Sequence, residues 1–186
     1  GDSVAGKVLL FDDLKNSTGG DVCYGSGLIV SDDDCYVDCN GYAISGNYTD
    51  YGIRSSYGNL TVKNCVVGNF STGIFVTDDV VLFENDSLRN NAQSGINVTG
   101  DNVTVNDSVF YNNSWNAKFS YVSSYGGLEW DGVEYYDGVI FINDSDWINV
   151  SVPYSTDVTN FANGTFDLDI ALVTNLTNGL NMTVYS

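Results

Sequence analysis

Between Gly27 and Asn113 the apolar positions fall into one short phrase written four times. The copies open at Gly27, Gly52, Gly73 and Gly95, spaced 25, 21 and 22 residues apart. A second apolar landmark, Val37, Val62, Leu82 and Val105, follows at spacings of 25, 20 and 23. A third, Ile44, Val67, Leu88 and Phe110, follows at 23, 21 and 22. Inside a copy the residues alternate. Ile96 and Val98 face one way and Asn97 and Thr99 the other; Val103 and Val105 repeat this against Asn102 and Thr104. A period of two marks strands buried on one side, and no helical period competes with it. A unit of about 22 residues cannot bury its own apolar face, so copies must stack as a solenoid. Parallel pairing then raises the chain by about 4.8 Å per turn.

The corners agree with this reading. Gly46, Asn69, Asn90 and Asn112 each stand two residues after the third landmark. Gly and Asn tolerate left-handed backbone angles, and stacked Asn side chains can hydrogen-bond from turn to turn. The run Asp38-Cys39-Asn40-Gly41-Tyr42-Ala43-Ile44-Ser45-Gly46, then Asn59-Leu60-Thr61-Val62-Lys63-Asn64-Cys65 and Thr72-Gly73-Ile74, resembles the repeats of the pectin lyase-like superfamily. The likeness is to secreted and surface members from archaea and some bacteria, and it spans roughly residues 23 to 115. It implies an all-β, right-handed parallel β-helix. It implies little about activity, because the fold carries lyases, hydrolases, adhesins and structural proteins.

The flanks are strand-like but leave the period. Val8-Leu9-Leu10-Phe11 lies in an N-terminal segment, 1–22, that either caps its own core or adds a strand to a neighbouring subunit. The β-helix is expected over 23–125 and an irregular last turn with a β-rich cap or assembly segment over 126–186. Residues 114 to 142 are rich in aromatics, including Trp115, Phe119, Trp130 and Phe141, which suit a core end, sugar stacking or a subunit contact. Ile148, Val150 and Val152 alternate up to Pro153. In the tail, Phe166, Leu168, Ile170 and Leu172 alternate, Asn178-Gly179 reads as a turn, and Leu180, Met182 and Val184 alternate again. That pattern predicts a C-terminal β-hairpin.

Composition narrows the function. Six basic residues stand against 24 acidic ones, of which 21 are Asp, for a net charge of −18. Nucleic acid and anionic membranes are therefore unsuitable partners. No apolar run is long enough to span a bilayer as a helix. The opening Gly1-Asp2, with no Met, is what a mature secreted chain would show after loss of a leader. Cys23, Cys35, Cys39 and Cys65 allow three disulfide connectivities. Cys39–Cys65, at nearly equivalent places on successive turns, is favoured, with Cys23–Cys35 as its companion. Zinc is not expected, since there is no His and the Cys spacing is wrong.

Asn-x-Ser/Thr is the densest motif. It occurs at Asn16, Asn47, Asn59, Asn69, Asn85, Asn97, Asn102, Asn106, Asn112, Asn143, Asn149, Asn163, Asn175 and Asn181. Random placement would give about four such acceptor motifs. The excess points to a heavily N-glycosylated exterior. Asn59 and Asn102, each three residues before the second landmark, should share one face two turns apart. Asn69 and Asn112 conflict with that picture if they form a buried ladder.

Catalytic chemistry is not apparent. Polygalacturonase-like members of the fold use paired Asp beside a His, which this chain lacks. Lyase-type members use a basic residue beside calcium-binding Asp. Arg54 and Arg89 are the candidates, but they follow different landmarks and nothing places an Asp cluster beside Arg54. No catalytic residue, cofactor or metal site is assigned. Asp32-Asp33-Asp34 and Asp144/Asp146 are the candidate positions for structural calcium. The expected function is a non-enzymatic, extracellular structural protein that stacks head to tail with copies of itself in a cell-surface filament or layer. The alternatives are a polysaccharide lyase and a glycan-binding adhesive module.

Overall fold

In a computed structural model, residues 2–14, 23 and 25–118 are described with their side chains. Beyond these, the backbone of 119–120, 127–131, 134–135, 140–143, 147–153, 170–172 and 180–185 is described. The chain is a right-handed parallel β-helix whose strands, β1 to β21 in chain order, form three walls. The first wall holds β1 (Asp2–Val4), β3 (Leu28–Val30), β6 (Tyr51–Ser55), β9 (Thr72–Val76), β12 (Ser94–Thr99), β15 (Trp115–Ser120), β18 (Ile140–Asn143) and β20 (Ile170–Leu172). The second holds β2 (Lys7–Leu9), β4 (Tyr36–Asp38), β7 (Leu60–Lys63), β10 (Val81–Glu84), β13 (Val103–Asn106), β16 (Gly127–Asp131), β19 (Trp147–Pro153) and β21 (Leu180–Tyr185). The third holds β5 (Ala43–Ser45), β8 (Val66–Gly68), β11 (Ser87–Arg89), β14 (Val109–Tyr111) and β17 (Glu134–Tyr135).

The core is the stack of inward residues. Leu28, Ile53, Ile74, Ile96 and Ala117 line up on the first wall, and Ile44, Val67, Leu88 and Phe110 on the third. On the second wall the aligned residues are Val37, Val62, Phe83 and Val105. Leu82, expected to face inward, is the register partner of Thr61 and Thr104 and faces outward. The reason lies in the run Val80-Val81-Leu82-Phe83, which is apolar throughout and so does not reveal its own parity. With Phe83 in place of Leu82 the second-landmark spacings become 25, 21 and 22, as in the first landmark.

The N-terminal segment folds onto its own chain. β1 pairs with β3 and β2 with β4, both parallel, and Leu14 bridges Ile44 to extend the third wall. Val4, Val8, Leu10 and Leu14 pack against the core. Among the described residues β20 and β21 stand on different walls and do not pair with each other as the expected C-terminal hairpin would. β20 pairs parallel with β18 on the first wall, and β21 pairs parallel with β19 on the second. An exposed parallel edge offers Ile170 the partner Ile140 and Leu180 the partner Ile148, so each strand extends the stack rather than pairing with the other.

Three corners are built from left-handed residues. Asp34, Asn59, Val80 and Asn102 have φ between 52° and 57° and lead into the second wall. Asn64, Asn85 and Asp107 leave it, and Asn69, Asn90 and Asn112 leave the third wall, all with positive φ. Val80 is the misfit, because a β-branched residue at φ 57° is crowded by its own backbone. Its side chain is exposed, so nothing in the core repays that cost. Val80→Asn should stabilise the fold by about 1 kcal/mol, read as a raised midpoint in thermal or urea unfolding. An unchanged or lowered midpoint would contradict the strain argument.

Candidate functional site

The sequence-predicted acceptor Asn residues distribute unevenly over the surface. Asn59, Asn85, Asn102 and Asn112 are exposed, and Asn47, Asn69, Asn97 and Asn106 are half-buried. Asn143, Asn149 and Asn181 lie on β18, β19 and β21, the last two as direct register partners. Asn16, Asn163 and Asn175 lie outside the described residues. Asn59 and Asn102 do share one corner, with Val80 on the turn between them.

The conflict over Asn69 and Asn112 resolves by one residue. The buried ladder is formed by the next position, Phe70, Asn91 and Asn113. Asn91 Oδ1 accepts the Phe70 N–H at 3.1 Å, and Asn113 Oδ1 accepts the Asn91 N–H at 3.0 Å. Asn113 Nδ2 donates to the Leu88 carbonyl at 2.8 Å. These buried amides satisfy backbone that the corner would otherwise strand. The preceding residues, Asn69, Asn90 and Asn112, turn outward. Asn112 Nδ2 donates to Asn90 Oδ1 at 2.9 Å. Similar outer bonds run from Asn85 Nδ2 to Asn64 Oδ1 at 2.7 Å and from Asn59 Nδ2 to Asp34 Oδ1 at 2.5 Å.

The corner between the second and third walls carries a second inner ladder. Its rungs are the Cys39–Cys65 disulfide, Asp86 and Ser108, all buried. Asp86 Oδ1 accepts the Cys65 N–H at 2.8 Å, and Ser108 Oγ accepts the Asp86 N–H at 3.1 Å. Burial pushes the Asp86 carboxyl up to about 8. Nearby, the half-buried Asp38 is held below the usual carboxylate range, first by the Asn64 amide that donates to it at 3.0 Å. Lys63, half-buried and 2.9 Å from Glu84, is shifted upward by that hydrogen bond. Sequence reasoning missed Asp86 because it stands in an ordinary-looking Asn-Asp-Ser acceptor motif. The signal was its place one residue beyond the corner, where Cys65 stands one turn earlier.

The expected pair Cys23–Cys35 is not formed; both are buried free thiols. Cys23 donates its N–H to the Ser45 carbonyl beside the third wall, whereas Cys35 leads into β4 on the second. They belong to different walls. Burial raises the Cys23 thiol pKa. Cys39 and Cys65, 26 residues apart, are bonded as expected. Replacing both with Ser should cost about 3 kcal/mol through the freed 26-residue loop. A urea midpoint unchanged from the parent would show that the bond contributes nothing.

The catalytic candidates do not converge. Arg54 is exposed on the first wall, with its guanidinium 5.7 Å from the Tyr51 ring, and Arg89 is exposed on the third. Among the described residues no three acidic or Cys side chains are grouped to hold a metal ion. Asp33 and Asp34 are tied to the next turn, accepting from the Gly58 N–H and Asn59 Nδ2, and Asp79 accepts the Asp101 N–H. Asp144 and Asp146 lie outside the described residues. A shallow groove of about 250 Å³ runs beside Gln93, Asn97, Trp115 and Lys118. Among the described residues no helix is long and apolar enough to cross a membrane. Comparison with family models, with curated proteins and with solved structures found no match to this chain.

Proposed function

We propose that the chain is a non-enzymatic, N-glycosylated structural protein of a cell exterior, a subunit of a surface filament or layer. The observation that carries this reading is the fourteen acceptor motifs, several of them on exposed corners of a solenoid. A buried disulfide suits an oxidising compartment. The outermost strands of the first wall, β1 and β20, suit parallel pairing with further copies. Such a contact is heterologous and does not close, so it builds a fibre. Residues 2–14 serve this reading as the first turn of their own solenoid, not as an arm for a neighbour. Eight strands at about 4.8 Å each give an axial repeat of about 38 Å per subunit. Electron microscopy of native, still-glycosylated material tests this directly. Fibres with that repeat are expected; discrete monomers would remove the assembly claim.

A second reading is a glycan-binding surface module, favoured by the groove at Trp115, since one aromatic face beside Asn97 and Lys118 suits a sugar ring. Glycan-array binding that Trp115→Ala abolishes would favour it over the filament.

A further inference from the structure

We infer that glycans on this solenoid stand in corner columns, on alternate turns, and that the Asn106 motif is a structural element and not an acceptor. This rests on the glycoprotein reading above and specifies its sites. Three observations carry it.

First, the acceptors at the left-handed corners are never on adjacent turns. Into the second wall the column reads Asn59, Val80, Asn102, with acceptor motifs at the first and last. Out of the third wall it reads Asn69, Asn90, Asn112, again with motifs at the first and last. Out of the second wall it reads Asn64, Asn85, Asp107, with a motif at the middle. Turns rise by about 4.8 Å, which is less than a sugar ring with its substituents needs; two turns give about twice that. Val80 occupies the skipped turn although Asn fits its backbone better.

Second, the outer hydrogen bonds leave the acceptor amides usable. In three of them the donor is an acceptor-motif Asn (59, 85 or 112), and the oxygen belongs to Asp34, Asn64 or Asn90, none of which is in a motif. A primary amide carries two N–H groups. Transfer from a lipid-linked sugar phosphate forms a bond from Nδ2 to the anomeric carbon as that carbon's bond to the phosphate oxygen breaks. The phosphate leaves with the electron pair, and Nδ2 gives up one proton to a base. One N–H remains, enough to keep the bond to the neighbouring turn.

Third, Asn106-Asp107-Ser108 lacks that freedom. Ser108 is fully buried, and its hydroxyl donates to the Asn106 carbonyl at 2.9 Å while accepting the Asp86 N–H. Asn106 Oδ1 is itself buried. A glycan there would open the inner ladder.

Glycopeptide mass spectrometry on protein from its native source reads occupancy site by site. We expect glycans on Asn59, Asn69, Asn85, Asn102 and Asn112, and Asn106 bare. Because Asn149 and Asn181 are register partners, their summed occupancy should not exceed one per molecule. Glycans on Asn106, bare corners beside occupied strands, or full occupancy of both Asn149 and Asn181 would overturn the placement and leave the glycoprotein reading intact. No glycan at any motif would remove that reading itself. The double variant Val80→Asn/Leu82→Thr, made in the same host, fills the skipped turn with a motif whose Thr matches Thr61 and Thr104 in register. At most two of the three sites in that column should then be occupied on any one molecule. Three full sites, with the variant still folded by circular dichroism, would refute the spacing argument.

Discussion

Raising the pH from 5 to 8 should lower the unfolding free energy of this protein by about 2–4 kcal/mol, through Asp86 alone. The sign follows from linkage. Burial lifts the folded-state pKa of Asp86 from the ordinary 3.8 to about 8, so between those values the native state holds a proton that the unfolded chain releases. Stability from this group is complete below the unfolded pKa and is lost as pH rises towards the folded one, at about 1.36 kcal/mol per unit before relaxation. The chain has no His to titrate in this window. The local cause is specific. Asp86 Oδ1 accepts the Cys65 N–H, while Oδ2 is buried with no hydrogen-bond partner. Ser108 shows what the ladder accepts in the same place: its hydroxyl takes one N–H and donates to the carbonyl two residues back. Asp86→Ser should repeat that pattern one turn earlier, accepting from Cys65 and donating to Glu84. Urea unfolding at pH 5, 6, 7 and 8 should show a falling midpoint for the parent and a nearly level one for the variant. A level parent profile, or an equally steep variant, would remove Asp86 as the cause.

Much of the fold was legible because a solenoid repeats its physics. Gly27, Gly52, Gly73 and Gly95, and Ile44, Val67, Leu88 and Phe110, were read from spacing alone and stand in register as expected. The failures have local reasons. Leu82 was misread because an unbroken apolar run carries no parity, and only the neighbouring strands, with Thr61 and Thr104 facing out, decide it. The tail looked like a hairpin because alternation around Asn-Gly is the same whether the next strand returns beside the last or crosses to another wall. Local pattern does not encode which edge is open. Cys39–Cys65 was legible as a position repeated from one turn to the next, and Cys23 was mispaired because its place beside Ser45 depends on a segment outside the repeat. Exposure of the acceptor Asn residues was only half legible. Sequence placed Asn59 and Asn102 on one face, but it could not tell that the buried ladder beyond Asn69 and Asn112 belongs to Asn91 and Asn113.

Gly52→Ala should cost about 3 kcal/mol or more. A Cβ at Gly52 would lie 2.5 Å from the carbonyl oxygen of Gly73 and would collide with a Val67 methyl group. The carbonyl cannot yield cheaply. It belongs to the next glycine of the column, whose own added Cβ would meet the Gly95 carbonyl at 2.5 Å. A shift that relieves one turn therefore presses on the next, and the strain spreads along the first wall. Gly41→Ala separates this packing from backbone freedom. Gly41 sits at φ +83° with nothing within 4 Å of its added Cβ, so Ala there should cost only the conformational term, about 1–2 kcal/mol. Thermal unfolding of the two variants should differ clearly, with Gly52→Ala the lower. Equal losses would mean that the column tolerates a methyl group and that its glycines are not set by close stacking. The result also bears on function. Each corner column keeps its pitch only while the turns stay this close, so widening one turn at Gly52 should disturb the Asn59 and Asn69 corners together. Reduced glycan occupancy at those two sites, with Asn112 unchanged, is the pattern expected if the glycine column sets the spacing of the exterior.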